Sequence, residues 1–413
     1  MNSKSKLLYL IGQFPAINHG YLLAEIRHLR RLGFDIDVIS VSPPDRPVTE
    51  LTEAEREEAA RTYCVKSLSA ARIALLHAAE FLRSPWRYFR GLMFTLGLAG
   101  IAPRRVLYHL AYFAEAVVVG RRMRDLGIAH MHASFSATVA LIAAKTFPLT
   151  WSFGVYGFGE LHDPVATHLT ERIQSARFVR SISRHGRGHL MLSCERSQWP
   201  KLLYSPLGID ASEFPHKGKR PPDGSPARLL CVGRLSQEKG QSLLLEAVAS
   251  LAAQAHPVQL HIVGDGPDRR WLENYANQLG MSANVVFEGW VDQNRLMALY
   301  SETDIFVLPS LAEGIPMVLM EAMALEIPCV APRISGIPEL IEHRVDGLLF
   351  AVADVDDLTQ SIRTLLDSPE LRQRIGRQAR EKVLREYDMA SNTARFAAVL
   401  EKQLYGEQSG ARQ

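Results

Sequence analysis

Cysteine is scarce in this chain. Its 413 residues hold four, Cys64, Cys194, Cys231 and Cys329, set far apart and never in a C-x-x-C pair. That spacing excludes a disulfide framework and a cysteine-built zinc site. Long apolar runs are also missing: the longest, near Leu92–Ala102, is broken by glycines and a threonine and falls short of the ~20 residues a spanning helix requires. An excess of one charge is absent too, the formal net charge being only +3, so charge alone gives no reason to expect a nucleic-acid partner. Low-complexity sequence is lacking, and an apolar fraction of 47% with 22% charged residues fits an ordinary globular protein. At the start, a short apolar run breaks at Gly12-Gln13-Phe14-Pro15 without a small-residue cleavage site, which reads as a first strand rather than a signal peptide. The expectation is a cytoplasmic protein, either free or at the inner face of the plasma membrane.

What is present is a repeating rhythm of short strands and helices. Residues 6–12 form an apolar run, Leu22, Ile26, Leu29 and Leu32 recur at helical spacing, and Phe34–Val41 alternates before Pro43-Pro44. This β-α-β unit implies a parallel sheet. Further strand signals lie at Ala129–His132, Thr150–Val155 and Phe178–Ile182. Residues 214–226 are rich in Pro, Gly, Lys and Asp, the composition of a linker. The rhythm then restarts with strands at Arg228–Val232, Val258–Val263, Val285–Glu288, Asp304–Leu308 and Pro328–Ala331, and helices between them. The chain is expected to form two domains, 1–205 and 206–389, with a helix at about 390–405 returning to complete the first. Two doubly wound halves are expected to face each other across a cleft and to bind ligands at the carboxyl ends of their strands.

Three segments carry candidate chemistry. In Asp304-Ile-Phe-Val-Leu-Pro-Ser310-Leu-Ala-Glu313-Gly314-Ile315-Pro316, a strand leads through a carboxylate and a glycine into a helix opened by Pro316 and carrying Glu321. A helix N-terminus offers free backbone donors to phosphate or sugar oxygens, and two carboxylates suit the reading of sugar and ribose hydroxyls. The competing reading makes Glu313 a helix cap and Glu321 a solvated helix residue. The second segment, Val232-Gly233-Arg234-Leu-Ser-Gln-Glu-Lys239-Gly240, places two cations on one strand-to-helix loop, suited to a diphosphate; alternatively it is a solvated basic turn. The third, Val263-Gly264-Asp265-Gly266-Pro267, is by itself a plain turn.

Taken in order, these segments and Gly336-Ile-Pro-Glu339 resemble the C-terminal half of the GT-B glycosyltransferases of family 4, the glycosyl transferases group 1. The resemblance extends from about Arg228 to Phe350. It implies an α/β fold of two Rossmann-like, doubly wound parallel-sheet domains. It further implies a retaining hexosyltransferase of the kind that builds exopolysaccharide, working without a bound metal or other cofactor. Arg234, Lys239 and Glu313 would be the catalytic residues, with Arg234 and Lys239 on the donor diphosphate. Gly233, Gly264, Trp290, Val291, Gly314, Ile315, Pro316 and Glu321 would line the nucleotide-sugar site, with Glu321 on the ribose. More loosely, the N-terminal half is similar to the same family through Phe14-Pro15, Glu25-Ile26, Ile182-Ser-Arg-His-Gly-Arg187 and Gly208-Ile-Asp210. Phe14 and Arg187 would lie on the acceptor side, together with Tyr156, which stands where the family usually has a histidine facing the transferred sugar. The partners so implied are a nucleotide-diphosphate sugar and a saccharide or lipid-linked acceptor, not a nucleic acid. A catalytically silent nucleotide-sugar-binding protein and a GT-B epimerase are the competing classes.

Weaker signals have bland explanations. Asp35-Ile-Asp37 and Asp354-Val-Asp356 match an Asp-x-Asp metal pattern, but the first lies in an alternating strand and the second opens a helix. His185 and His189 stand four apart with no carboxylate nearby, so no metal is expected there. The stretch from Arg83 to Arg124 holds eight arginines against one acid, Glu115, interleaved with aromatics. That mixture suits either contact with an anionic membrane surface or a set of packed helices with solvated arginines.

Overall fold

The computed structural model describes residues 4–157, 159–215 and 226–406. The chain divides into two compact units, Met1–Ile182 with Gly186–Leu207 and Ala390–Gln413, and Ser183–His185 with Gly208–Met389. The Pro- and Gly-rich segment expected as a linker lies, over 216–225, outside the described residues.

The first unit is built on a seven-stranded sheet. Its strands are β1 (Lys4–Gln13), β2 (Phe34–Ser42), β3 (Tyr63–Cys64), β4 (His130–Ser134), β5 (Thr150–Val155), β6 (Val179–Ser181) and β7 (Leu202–Tyr204). The order is β3-β2-β1-β4-β5-β6-β7 and every pairing is parallel. Helices cover both faces of such a sheet, so its central strands are buried: β4 and β6 are buried along their whole length, while the edge strand β3 is half-buried. The Gly20–Arg31 helix turns Leu22, Ile26 and Leu29 inward and stops where Gly33 takes φ 91°, as the residue spacing predicted. The Met389–Tyr405 helix belongs to this unit from Ala390 onward. Its Phe396 and Leu400 are fully buried, with the Arg180 guanidinium 4.0 Å from the Phe396 ring centroid.

Two histidines run through the middle of this core. His130 Nδ1 bonds Thr150 Oγ1 at 2.8 Å, while His130 Nε2 and His132 Nδ1 share Ser152 Oγ at 3.0 and 2.9 Å. Burial pushes the His130 pKa down to about 3 and that of His132 well below its ordinary value, so both imidazoles are neutral.

The second unit repeats the plan with six strands: β8 (Ala227–Val232), β9 (Val258–Val263), β10 (Val285–Gly289), β11 (Ile305–Val307), β12 (Cys329–Pro332) and β13 (Leu348–Phe350). Their order is β10-β9-β8-β11-β12-β13, again parallel. Leu244, Leu245, Val248 and Leu251 of the Gln241–Ala253 helix join Leu229, Cys231, Leu260 and Ile262 in its core. Both units therefore have the α/β doubly wound architecture of the expected fold class.

Some details depart from the sequence reading. β3, β7 and β13 are two or three residues long, too short to leave a periodic signal. Pro316 does not sit inside its helix; it is the capping residue, with extended ψ 125°, and the helix runs Met317–Ala324. Asp354 opens the Val355–Leu366 helix by accepting the Asp357 N–H at 2.9 Å, which gives one Asp-x-Asp match a purely structural role. All four cysteines are free. No helix among the described residues is long and apolar enough to cross a membrane.

Candidate functional site

In a doubly wound sheet the chain departs in opposite directions from two central neighbours, leaving a crevice at their carboxyl ends. In the second unit those neighbours are β8 and β11. The loop after β8 carries Gly233, Arg234 and Lys239; the loop after β11 carries Ser310, Glu313 and Gly314. Topology thus brings together two motifs separated by some 70 residues of sequence.

Contact between them is direct. Lys239 Nζ donates to Glu313 Oε1 at 2.6 Å, and Ser310 Oγ donates to the same oxygen at 2.7 Å. The Glu313 side chain is 9% exposed and that of Lys239 25%. Glu313 is therefore no helix cap: the cap position carries Pro316 without any side-chain bond. Backbone contacts fix the same two loops, since Leu311 N–H donates to Glu238 O at 2.8 Å. Gly240, at φ 64°, lies so close that a Cβ there would meet Pro309 O at 2.3 Å. Arg234, by contrast, is exposed and makes no side-chain hydrogen bond or ion pair among the described residues. The loop presents one tethered and one open cation.

The loop after β9 closes on the same place. Gly233 N–H donates to Val263 O and Leu235 N–H to Asp265 O, at 2.9 and 3.0 Å. Gly264 has φ 127°, and a Cβ there would fall 2.0 Å from Gly233 O, so no other residue fits. Its N–H reaches Gly289 O at 2.8 Å, tying in the end of β10. Trp290, 47% exposed, follows, with Val291 half-buried beside it. Gly336 N–H donates to Gly314 O at 3.2 Å, and Ile315 and Pro316 are buried beneath the loop.

Glu321 lies on the Met317–Ala324 helix. Its carboxylate accepts from Tyr300 Oη at 2.9 Å, and burial raises its pKa. It is thus neither solvated nor idle. Tyr300 and Ser310 escaped the sequence reading. Ser310 stands three residues before Glu313 and could have been marked as its partner; Tyr300 sits 21 residues before Glu321 on another helix and left no such signal.

In the first unit the crevice position lies between β1 and β4. Tyr156, just past β5, is 6% exposed and bonds Ser134 Oγ at 2.9 Å. Its ring lies against Tyr21 and Phe135, at centroid distances of 5.7 and 5.2 Å. Burial pushes its phenol pKa well up, so it stays neutral. Its N–H donates to Glu160 Oε2 at 3.0 Å, and loss of water raises the Glu160 pKa to about 7. Beneath lies a buried network in which Glu25 accepts from Tyr9 Oη at 3.0 Å and from Arg180 Nη1 at 2.5 Å. Phe14, 1% exposed, belongs to the core, and Arg187 Nε is bonded to Leu202 O at 2.8 Å. Phe14 is thus packed into the core, while Arg187 is half-buried with its Nε tied to the backbone of β7.

The comparisons with known proteins agree with this construction. Residues 213–382 match the family model "Glycosyl transferases group 1". The chain is 26% identical over 426 residues to the putative colanic acid biosynthesis glycosyltransferase WcaL of Escherichia coli K12, covering 96% of this chain and 99% of that protein. The amylovoran biosynthesis glycosyltransferase AmsK of Erwinia amylovora is also 26% identical, over 416 residues and the same shares. Among solved structures, sucrose-phosphate synthase of Thermosynechococcus elongatus superposes with a TM-score of 0.73 at 19% identity, over 98% of this chain and 100% of that one. HepE of Anabaena in complex with UDP-glucose gives 0.71 at 17% identity, over 96% and 99%. With the switch-point loops in place and relatives matching from end to end, the chain is a glycosyltransferase of the GT-B fold whose residues 213–382 match the glycosyl transferases group 1.

Proposed function

We propose that the chain transfers a hexose from a nucleotide-diphosphate sugar to a saccharide or lipid-linked acceptor, with retention of anomeric configuration, in building a cell-surface polysaccharide. The observation that carries this reading is the Lys239–Glu313 pair at the β8/β11 switch point, with Arg234 open beside it. An ammonium has three donors, so Lys239 can keep Glu313 while turning another N–H toward a phosphate oxygen. As the sugar–phosphate bond ionises, charge grows on the leaving diphosphate. Arg234 and Lys239 would stabilise it from fixed positions, the most effective form of electrostatic catalysis. These two cations take the part a divalent metal plays elsewhere, and chelation of metal should leave transfer unchanged. Glu321, held by Tyr300, would accept from ribose hydroxyls; Glu313 and the N–H groups after it would hold the hexose. Retention follows the family resemblance.

The relatives support the biological setting: WcaL and AmsK are named for colanic acid and amylovoran biosynthesis, and HepE has been solved with UDP-glucose. Such an acceptor, if lipid-linked, is met at the inner face of the plasma membrane. A thermal-shift series with UDP-, GDP- and ADP-sugars tests the donor, because a bound ligand raises stability by mass action. One base class should raise Tm at a concentration where the others do not. Absence of any shift at saturating concentrations of all three would overturn the reading, and NMR of the product anomer would decide retention.

A further inference from the structure

Three consecutive helices of the first unit, Ala70–Arg83, Pro85–Ala99 and Pro103–Leu126, are apolar on both sides. Their inner sides are accounted for. Tyr88, Leu92, Phe94 and Phe113 pack into the sheet core. Glu80, 4% exposed, is clasped by both terminal nitrogens of Arg124 at 2.8 and 2.7 Å, and Gly91 abuts Thr146.

Their outer sides should be polar if they met only water, and they are not. Leu75, Leu82, Trp86, Met93 and Leu107 project outward, as does Ile101 in the turn between the second and third helices, with Leu82 at 79%, Trp86 at 81% and Ile101 at 101% exposure. On the first helix the outward residues Ala71, Ala74, Leu75, Ala78 and Leu82 recur at helical spacing, forming a second apolar stripe. Exposed apolar side chains in this number on consecutive helices mark an interaction surface. Between residues 70 and 114 the only acid is the buried Glu80, against six arginines. Arg83, Arg87 and Arg104 are exposed and have no acidic partner among the described residues.

We infer that the outer face of these three helices docks on an anionic lipid bilayer, lying in the headgroup region with Leu82, Trp86, Ile101 and Leu107 entering the acyl boundary. Charge decides the occupant. A second copy of the same face would set arginines against arginines across a two-fold axis, whereas anionic headgroups complement them. Tryptophan and arginine beside exposed aliphatic residues are the composition of interfacial helices. No described helix can span a bilayer, so the chain would lie on the surface. The inference deepens the proposed function, since it presents the chain to a lipid-linked acceptor, but the docking itself needs no transfer.

The test is co-sedimentation of the full chain, without donor, with vesicles of phosphatidylcholine alone or mixed with phosphatidylglycerol. At about 1 kcal/mol per arginine near the surface, the mixed vesicles should bind the chain at least about tenfold more strongly, and less so as salt rises. Two triple variants, Leu82→Ser/Trp86→Ser/Ile101→Ser and Arg83→Ser/Arg87→Ser/Arg104→Ser, should each lower binding at least tenfold while keeping the parent's melting temperature and its transfer to a soluble acceptor. Binding by either variant equal to the parent's, or equal parent binding to both vesicle types, would overturn the inference. So would a dimer in sedimentation velocity that dissociates in the Leu82/Trp86/Ile101 variant, since it would assign the face to a second copy. A chain that binds vesicles but no nucleotide sugar would retain this surface and discard the proposed function.

Discussion

Replacing Lys239 by alanine removes one partner from the pair at the switch point, and two effects should follow that can be separated. Glu313 keeps only the Ser310 hydroxyl, at 2.7 Å, for a side chain that is 9% exposed. Breaking a buried ion pair from one side costs about 3–5 kcal/mol. Water reaches this pair through the quarter-exposed lysine, which brings the expected loss to about 2–3 kcal/mol on the same scale. For a unit of this size that lowers Tm by roughly 5–10 °C. Transfer should fall at least about 10²-fold, the scale for losing one preorganised charge contact. The second substitution, Glu313→Gln, keeps an acceptor for Ser310 but removes the stranded charge. The Lys239→Ala/Glu313→Gln double variant should therefore melt within a few degrees of the parent and still transfer at least about 10²-fold more slowly than Glu313→Gln alone. Differential scanning fluorimetry beside initial-rate transfer assays reads both quantities. If the double variant transfers as fast as Glu313→Gln alone, Lys239 serves only to support Glu313, and its role on the donor diphosphate is refuted.

Two other expectations rest on buried groups. Glu321→Ala should lower transfer at least about 10²-fold, and Tyr300→Phe, which frees the carboxylate from its 2.9 Å bond, should chiefly raise the KM for donor; near-parental kinetics in Glu321→Ala would refute the ribose assignment. His130 is held neutral in the fold, with its pKa pushed down to about 3, but titrates near 6.5 when unfolded. Below about pH 6.5 the unfolded chain gains protons that the fold refuses, so stability should fall by about 2 kcal/mol between pH 7 and 5 from this residue alone. His132 acts in the same direction. Denaturant titrations at the two pH values check this, and an unchanged midpoint would contradict the buried neutral histidines.

Much of the second unit could be read from the chain because its signals are local. Apolar runs, glycine stops and charged loops recur in order, and β8, β9 and β10 lie within two residues of where spacing put them. What spacing could not deliver is pairing across the sheet. Lys239 reads as a free cation in sequence and is in fact bound to Glu313, because parallel topology brings the loops after β8 and β11 side by side. Tyr300 was invisible for the same reason. In the first unit the motif residue Phe14 is absorbed by packing, Arg187 is half-buried with its Nε bonded to Leu202 O, and Tyr156 is bonded to Ser134. The helices of 70–126 were legible as helices, but whether their arginines faced water or protein depended on which side the sheet covers. Only the fold separates Arg124, which clasps Glu80, from Arg87, which points outward.

The close approach of Gly264 to Gly233, and of Gly240 to Pro309, has a consequence for how such transferases diversify. These loops lean on one another like the stones of an arch, so lengthening or swapping one would displace its neighbours and shift Glu313 with them. On the proposed function, a change of sugar or base preference is accessible through side chains that stand clear of the arch, chiefly Trp290 and its neighbour Val291 at the rim. Randomising those two positions while leaving the glycines and Arg234 untouched is therefore the shortest route to an altered donor.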